Sequence, residues 1–169
     1  EDVANMAERS IKLNNLEEKF RIINSNINEI FSKKLLEKNV FDVVVMNPPY
    51  KEVGTGEING NEKKLISRHE IKANLSDFIK TASGLLKDKG ELYIVHKPER
   101  MPDIIQKLRE NKIEPKELKI VYSNKNSEAS LILIKAVKGG KKFLKIDRPL
   151  YIYNENGEYS DEIKQIYNV

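Results

Sequence analysis

Leu75, Phe78, Ile79, Ala82, Leu85 and Leu86 recur at i, i+3, i+4, i+7, i+10 and i+11, the spacing of one helix face. Asn74 precedes this stretch as an N-cap, and Gly90 follows its end. The opening residues 2–15 repeat the pattern more sparsely, with Val3, Met6, Ala7 and Ile11 on one side. Residues 27–38 carry Ile27, Ile30, Phe31, Leu35 and Leu36 at loose helical spacing, and residues 101–111 predict a helix with Pro102 in its first turn. Between these lie β-like runs: 20–23, 41–46, 91–95, 118–122 and 130–137. The run Phe41-Asp42-Val43-Val44-Val45-Met46 is almost continuously apolar, as expected of a strand covered on both faces in a parallel sheet.

Strands alternating with helices predict an α/β layer fold around a mostly parallel sheet. No helix separates the last two strands, which predicts an antiparallel pair at the sheet edge. Residues 51–73 have no period and read as a mobile loop over a site. A Lys-Gly-Gly linker then leads toward a polar tail, helical from Ser160. The expected division is a catalytic portion over residues 1–149 and a polar tail over 150–169.

Composition narrows the chemistry. The 169 residues contain no Cys, which removes disulfides, thiolate metal sites and cysteine nucleophiles. With two His and no HExxH, no metal site is expected. No apolar run approaches a membrane span, no signal-peptide pattern opens the chain, and a cytoplasmic address is expected. The net charge of +4 is unevenly spread. Residues 135–149 hold six cations against Asp147 alone, and the tail that follows is acidic. A stripe of Lys138, Lys141, Lys142, Lys145 and Arg148 suits either a phosphate backbone or an ordinary solvated surface.

The informative tetrapeptide is Asn47-Pro48-Pro49-Tyr50, directly after the 41–46 strand. Ligands of open α/β sheets bind outside the carboxyl ends of strands. Two prolines fix φ and remove two N–H donors, leaving carbonyls and the Asn47 amide as acceptors for an –NH2 group. Tyr50 offers a flat face to a flipped base. Methylating an exocyclic amine needs such acceptors, because they favour the pyramidal nitrogen that attacks an electrophilic methyl. A Pro-Pro turn begun by an Asx-turn is the bland alternative.

On these residues the chain resembles the class I methyltransferases that use S-adenosylmethionine and carry an Asn-Pro-Pro-Tyr/Phe/Trp motif. Within that class it is most similar to bacterial tRNA adenine-N6 methyltransferases acting on a valine tRNA near the anticodon. Glu1 to Leu16, Arg68-His69-Glu70, His96-Lys97-Pro98-Glu99-Arg100 and Glu128 to Gly140 extend the resemblance through nearly the whole chain. It implies a Rossmann-like three-layer αβα methyltransferase fold with strand order 3-2-1-4-5-7-6 and the first strands missing here. It further implies Asn47, Pro48, Pro49 and Tyr50 as catalytic residues, and Asn26, Ile27 and Asn47 as contacts to S-adenosylmethionine. Asn26 stands where the family usually has an Asp. The family's Gly-rich cofactor loop is absent, and Gly54-Thr55-Gly56 does not replace it. The chain alone is therefore expected to leave the flank of Val43-Val44-Val45 in water and not to bind the cofactor.

The expected partner is tRNA, with Arg68, Lys97, Arg100, Lys138, Lys141, Lys142 and Lys145 toward its phosphates. His69 and His96 read as structural, and Asp42 as a local turn or cap residue. Three rivals stay open. One is a protein glutamine methyltransferase of the release-factor type. Another is a guanine-N2 rRNA methyltransferase. The third, of a different class, is a non-catalytic RNA-binding module.

Overall fold

The computed structural model describes residues 2–50 and 73–168. The expected loop at 51–73 therefore lies almost wholly outside the described residues, as do Arg68 and His69. Among the described residues six strands form one sheet: β1 (Phe41–Met46), β2 (Leu86–His96), β3 (Ile113–Tyr122), β4 (Ala129–Lys138), β5 (Lys145–Ile146) and β6 (Leu150–Tyr151). The spatial order is β1-β2-β4-β3-β5, with β6 also on β3. β1 is parallel to β2, β4 is antiparallel to both β2 and β3, and β5 and β6 are parallel to β3. Among the described strands, β4 alone runs against the rest. The β1-β2-β4-β3 path matches the 4-5-7-6 half of the order implied by the resemblance.

Helices α1 (Asp2–Leu13), α2 (Leu75–Leu85), α3 (Met101–Glu110) and α4 (Asp161–Tyr167) accompany the sheet. α2 begins with a full capping box: Asp77 N–H donates to the Asn74 side chain, and the Asn74 N–H donates to the Asp77 carboxylate. α2 brings Ile79 and Ala82, and α3 brings Ile104 and Leu108, onto one face of the sheet. There they meet Leu92, Ile94, Ile132, Ile134 and Leu118 in a continuous core. The period-2 alternation of β2 and β4 places these residues on a shared face, since Leu92 pairs with Ala136 and Ile94 with Ile134. The opposite face is half polar, with Lys135 bridging Glu91 at 2.8 Å and Tyr93 donating to Glu91 at 2.7 Å.

Several sequence expectations need correction. β1 is not covered on both faces: Val44 and Met46 reach the core, but Val43 is exposed and Val45 is 73% exposed. It is the terminal strand among those described, and its outer ladder has no partner among them, as the strand order implied by the resemblance led us to expect for this flank. Residues 20–23 form no strand, and Phe20 is exposed. An apolar run becomes a strand only beside another strand that satisfies its N–H and C=O groups. The expected helix at 27–38 shrinks to a 3-10 turn, Ile27–Glu29, followed by turns. Lys34 and Asn39 adopt φ of 53° and 57°, which ends helical propagation. This segment docks instead by packing the Phe31 ring against Gly84 of α2, where a Cβ would stand 2.7 Å from the ring.

α1 forms as expected, yet Val3 and Met6 on its apolar stripe are exposed. β2 starts at Leu86, before Gly90, because Leu86 is buried and pairs with Phe41. Residues 87–90 then bulge before Glu91 resumes register with Val43. Asp42 caps no element among the described residues; its carboxylate accepts from Lys87 Nζ at 2.8 Å across that bulge. The segment read as a polar tail joins the body. Its β6 lengthens the sheet, and Ile163 of α4 packs with Val121 and Leu150. Ser160 caps α4, as its position suggested. Among the described residues no helix is long and apolar enough to cross a membrane.

Candidate active site

The last ladder pair of β1 with β2 is Met46 with Ile94. Beyond it Pro48 and Pro49 have no N–H to offer, so the chain must leave the sheet at its carboxyl end. Asn47 is exposed there, Pro48 is fully buried and Pro49 is again exposed. A buried proline between two exposed residues anchors the turn to the body at its second residue.

His96, the last residue of β2, closes the floor of this corner. It is 1% exposed, and its ring meets Tyr50 edge-on with centroids 5.1 Å apart and planes at 66°. The Lys97 N–H donates to His96 Nδ1 at 2.8 Å. The Pro49 backbone lies close enough to the ring to act on it electrostatically. Burial, followed by the nearby Arg100 charge, pushes the His96 pKa below its ordinary value of 6.5. The Lys97 backbone, then the Pro49 backbone and the Glu99 charge, partly offset that shift. The group is a neutral imidazole at neutral pH.

Two expected phosphate contacts flank this corner. Lys97 Nζ lies 5.8 Å from the Tyr50 ring centroid and donates to the Ser130 carbonyl at 3.4 Å. Arg100 is mostly buried, with Nε 3.0 Å from Asp103. The structure thus brings Asn47, Pro48, Pro49, Tyr50 and Lys97 together, with Arg100 near enough to act on His96. Sequence reading assigned His96 a merely structural place. Its position at the carboxyl end of a predicted strand was the available signal.

The remaining candidates stand elsewhere. Asn26 caps the 3-10 turn, its side chain accepting from Asn28 N–H at 3.0 Å, and the Ile27 carbonyl accepts from Thr81 of α2. The basic stripe does not border the tetrapeptide. Ile132 is level with His96, whereas Lys138 is level with Ile113 at the other end of β4. At ~3.3 Å per residue that is a travel of about 20 Å. Lys138 is moreover committed to structure, donating to Asn39 Oδ1, the Ser83 carbonyl and the Leu86 carbonyl at 2.6–2.8 Å. These bonds use all three ammonium protons. Lys145 pairs with Asp147 at 2.7 Å, and Lys141 and Lys142 are exposed.

No curated protein matches the chain. Among solved structures, a predicted O-methyltransferase from Agrobacterium tumefaciens superposes with a TM-score of 0.77 at 19% identity, covering 99% of this chain and 73% of that one. A modification subunit assigned to a type I restriction enzyme from Vibrio vulnificus gives 0.53 at 12% identity, covering 94% of this chain and 36% of that one. The complex of M1.HpyAVI with SAM gives 0.46 at 17% identity, covering 78% of this chain and 63% of that one. The first of these likenesses shows the α/β methyltransferase fold. The sequence profile of the Eco57I restriction-modification methylases matches residues 2–130, and the chain belongs to that family of methyltransferases.

Proposed function

We propose that the chain carries the amine-binding site of an S-adenosylmethionine-dependent methyltransferase acting on the N6 amine of adenine in a nucleic acid. The observation that carries this reading is Asn47, exposed at the carboxyl end of β1 beside a fully buried Pro48. In this reading the Asn47 side chain and the Pro48 carbonyl accept the two amine hydrogens and turn the nitrogen lone pair outward. Tyr50 stacks on the base, and Lys97 neutralises a neighbouring phosphate. The cofactor, when bound, supplies an electrophilic methyl.

The residues suit that cofactor at its reacting end, because Asn47 is exposed at the carboxyl end of β1. Asn26 and Ile27 are proposed beside the adenine of the cofactor, with the Asn26 side chain oriented by the turn that it caps. No dedicated base is needed, since the amine proton becomes acidic once the methyl bond forms.

For the nucleic acid we propose tRNA, on the resemblance of the His96-Lys97-Pro98-Glu99-Arg100 and 128–140 segments. DNA is the second reading, favoured by membership of a restriction-modification methylase family. Incubating the intact gene product with labelled S-adenosylmethionine and either tRNA or duplex DNA, followed by nucleoside mass spectrometry, separates the two. N6-methyladenosine from tRNA is the expected product. N6-methyldeoxyadenosine alone moves the substrate to DNA. Label only on protein glutamine, or on guanine, overturns the adenine assignment.

A further inference from the structure

We infer that the 153–159 hairpin, with the 124–127 turn beside it, is a second nucleic-acid subsite on which unpaired bases near the target adenine stack. The inference rests on the proposed function, because the strand that reaches the hairpin is the one whose adenine lies on Tyr50.

β3 runs parallel to β1 and β2 through the antiparallel β4, so all three strands bring their carboxyl ends to one edge. The tetrapeptide follows β1 there. The hairpin follows β6, whose Tyr151 pairs with Tyr122, the last residue of β3. A run of contacts joins the two. Lys97, 5.8 Å from the Tyr50 ring centroid, donates to the Ser130 carbonyl, and the Ser130 hydroxyl donates to the Val121 carbonyl at 3.0 Å. One residue on, the Tyr122 and Tyr151 rings stand 5.6 Å apart, and Tyr153 N–H donates to the Ser123 carbonyl at 2.9 Å. From β2 across β4 and β3 to β6 is about 14 Å. That span is on the order of four nucleotides at a stacked rise of ~3.4 Å.

The hairpin is held by its backbone. Asn154 N–H donates to the Glu158 carbonyl at 2.8 Å, and Asn154 Oδ1 accepts from the Asn156 and Glu158 N–H groups at 3.0 Å. The turn therefore closes without help from the rings that flank it. Tyr153 and Tyr159 pair across its antiparallel bridge, with ring centroids 5.5 Å apart and planes 11° from parallel. They are 40% and 48% exposed. Flat aromatic faces fixed in water are the surfaces on which unpaired bases stack. Tyr153 also lines a cavity of about 620 Å³ between the hairpin and the 124–127 turn. On that turn Asn124 Nδ2 and the Asn126 amide have no hydrogen-bond partner among the described residues, which leaves them for base edges. The acids nearby are matched, Glu155 by Lys125 at 2.9 Å and Glu158 by Lys164 at 4.0 Å. With its charges paired, the subsite binds through stacking and amide contacts, and phosphate attraction contributes little.

The test titrates the intact protein with fluorescein-labelled RNA and DNA of about 12 nucleotides, single-stranded or duplex, over a range of salt. Tyr153→Leu with Tyr159→Leu is expected to weaken single-strand binding by roughly 10-fold or more, with duplex binding within about twofold of wild type. The log–log salt slope should not change, because no phosphate contact is removed. Tyr153→Phe with Tyr159→Phe keeps both rings and should bind like wild type. The 169 residues contain no Trp, so Tyr153→Trp places an indole in the subsite. Its emission above the wild-type background should be quenched by a single strand and not by a duplex. A ring-dependent loss on RNA alone, or on DNA alone, supports the inference and identifies the strand. A folded Leu variant that binds single strands like wild type overturns it. So do an equal loss on duplex, a Phe variant as weak as the Leu variant, or an indole that single strands do not quench. Loss of transfer to protein glutamine with strand binding unchanged assigns the surface to a polypeptide and also overturns it. If the wild type methylates a nucleic acid regardless of these rings, this inference alone fails. If it binds no nucleic acid, the proposed function fails with it.

Discussion

Two polar clusters sit at opposite ends of the same sheet, and only one has the makings of a site. At the far end Lys138 directs its ammonium into the Asn39 side chain and the Ser83 and Leu86 carbonyls, and Lys89 donates to the Gly139 carbonyl at 2.6 Å. The Ser83 carbonyl belongs to the last turn of α2, whose negative dipole end favours a cation. At the carboxyl ends of β1 and β2 the satisfied groups lie underneath, at His96, while Asn47 faces outward. A cluster whose hydrogen-bonding capacity is used internally holds a fold together. One that satisfies its base and exposes its tip can bind something else. Lysine content alone does not distinguish them.

The sharpest way to break this contrast is Asn47→Ala in the intact protein. Methyl transfer should fall by about 100-fold or more, while nucleic-acid affinity stays near wild type in binding titrations. Near wild-type single-turnover rates would remove the tetrapeptide from the chemistry. Lys138→Met should do the reverse. Leaving three acceptors without their charged partner should cost about 1–3 kcal/mol of stability in urea denaturation, with the salt dependence of nucleic-acid binding unchanged.

The buried imidazole also makes stability depend on pH. Its folded pKa lies below 6.5, so the unfolded chain binds more protons over the window from that folded value up to about 6.5. Stability from this group is complete above that window and is lost as pH falls through it. Around the ring, Arg100 favours the neutral form, Glu99 opposes it, and Lys97 and Tyr50 complete the surroundings. The stability difference between wild type and His96→Phe should therefore rise with pH across that window. A flat difference from pH 5 to 7 would show an unshifted imidazole.

The smallest effect is expected from Lys141→Gln with Lys142→Gln. They stand at the far end of β4 and β3, so the log–log salt slope of binding should change by less than about one unit. Lys97→Gln, beside Tyr50, should lower it by about one unit on its own. Equal slopes for the two variants would mean that the nucleic acid runs along the whole edge.

Much of the architecture was legible along the chain. The capping box at Asn74 and Asp77, the period-3.6 stripe of α2 and the proline stop after Met46 are set by residues within a few positions of one another. The tetrapeptide could be singled out for the same reason, since two prolines impose their geometry on any backbone. Where the pattern misled, a partner distant in sequence decided. Phe20 to Ile23 has strand composition but no neighbour to complete its ladder, and Val43 and Val45 are apolar yet sit on the sheet's outer edge.

Charge and burial followed the same division. The six cations of residues 135–149 are countable in the chain, but which of them meet carbonyls depends on α2 ending beside β4. His96 reads as an isolated histidine until β1 and β2 pair in parallel and carry Tyr50 onto its ring. Backbone conformation is governed by nearest neighbours and can be read locally. The solvation and bonding of a side chain depend on whatever the fold brings against it, and here those contacts come from 46 residues upstream for Tyr50 and His96.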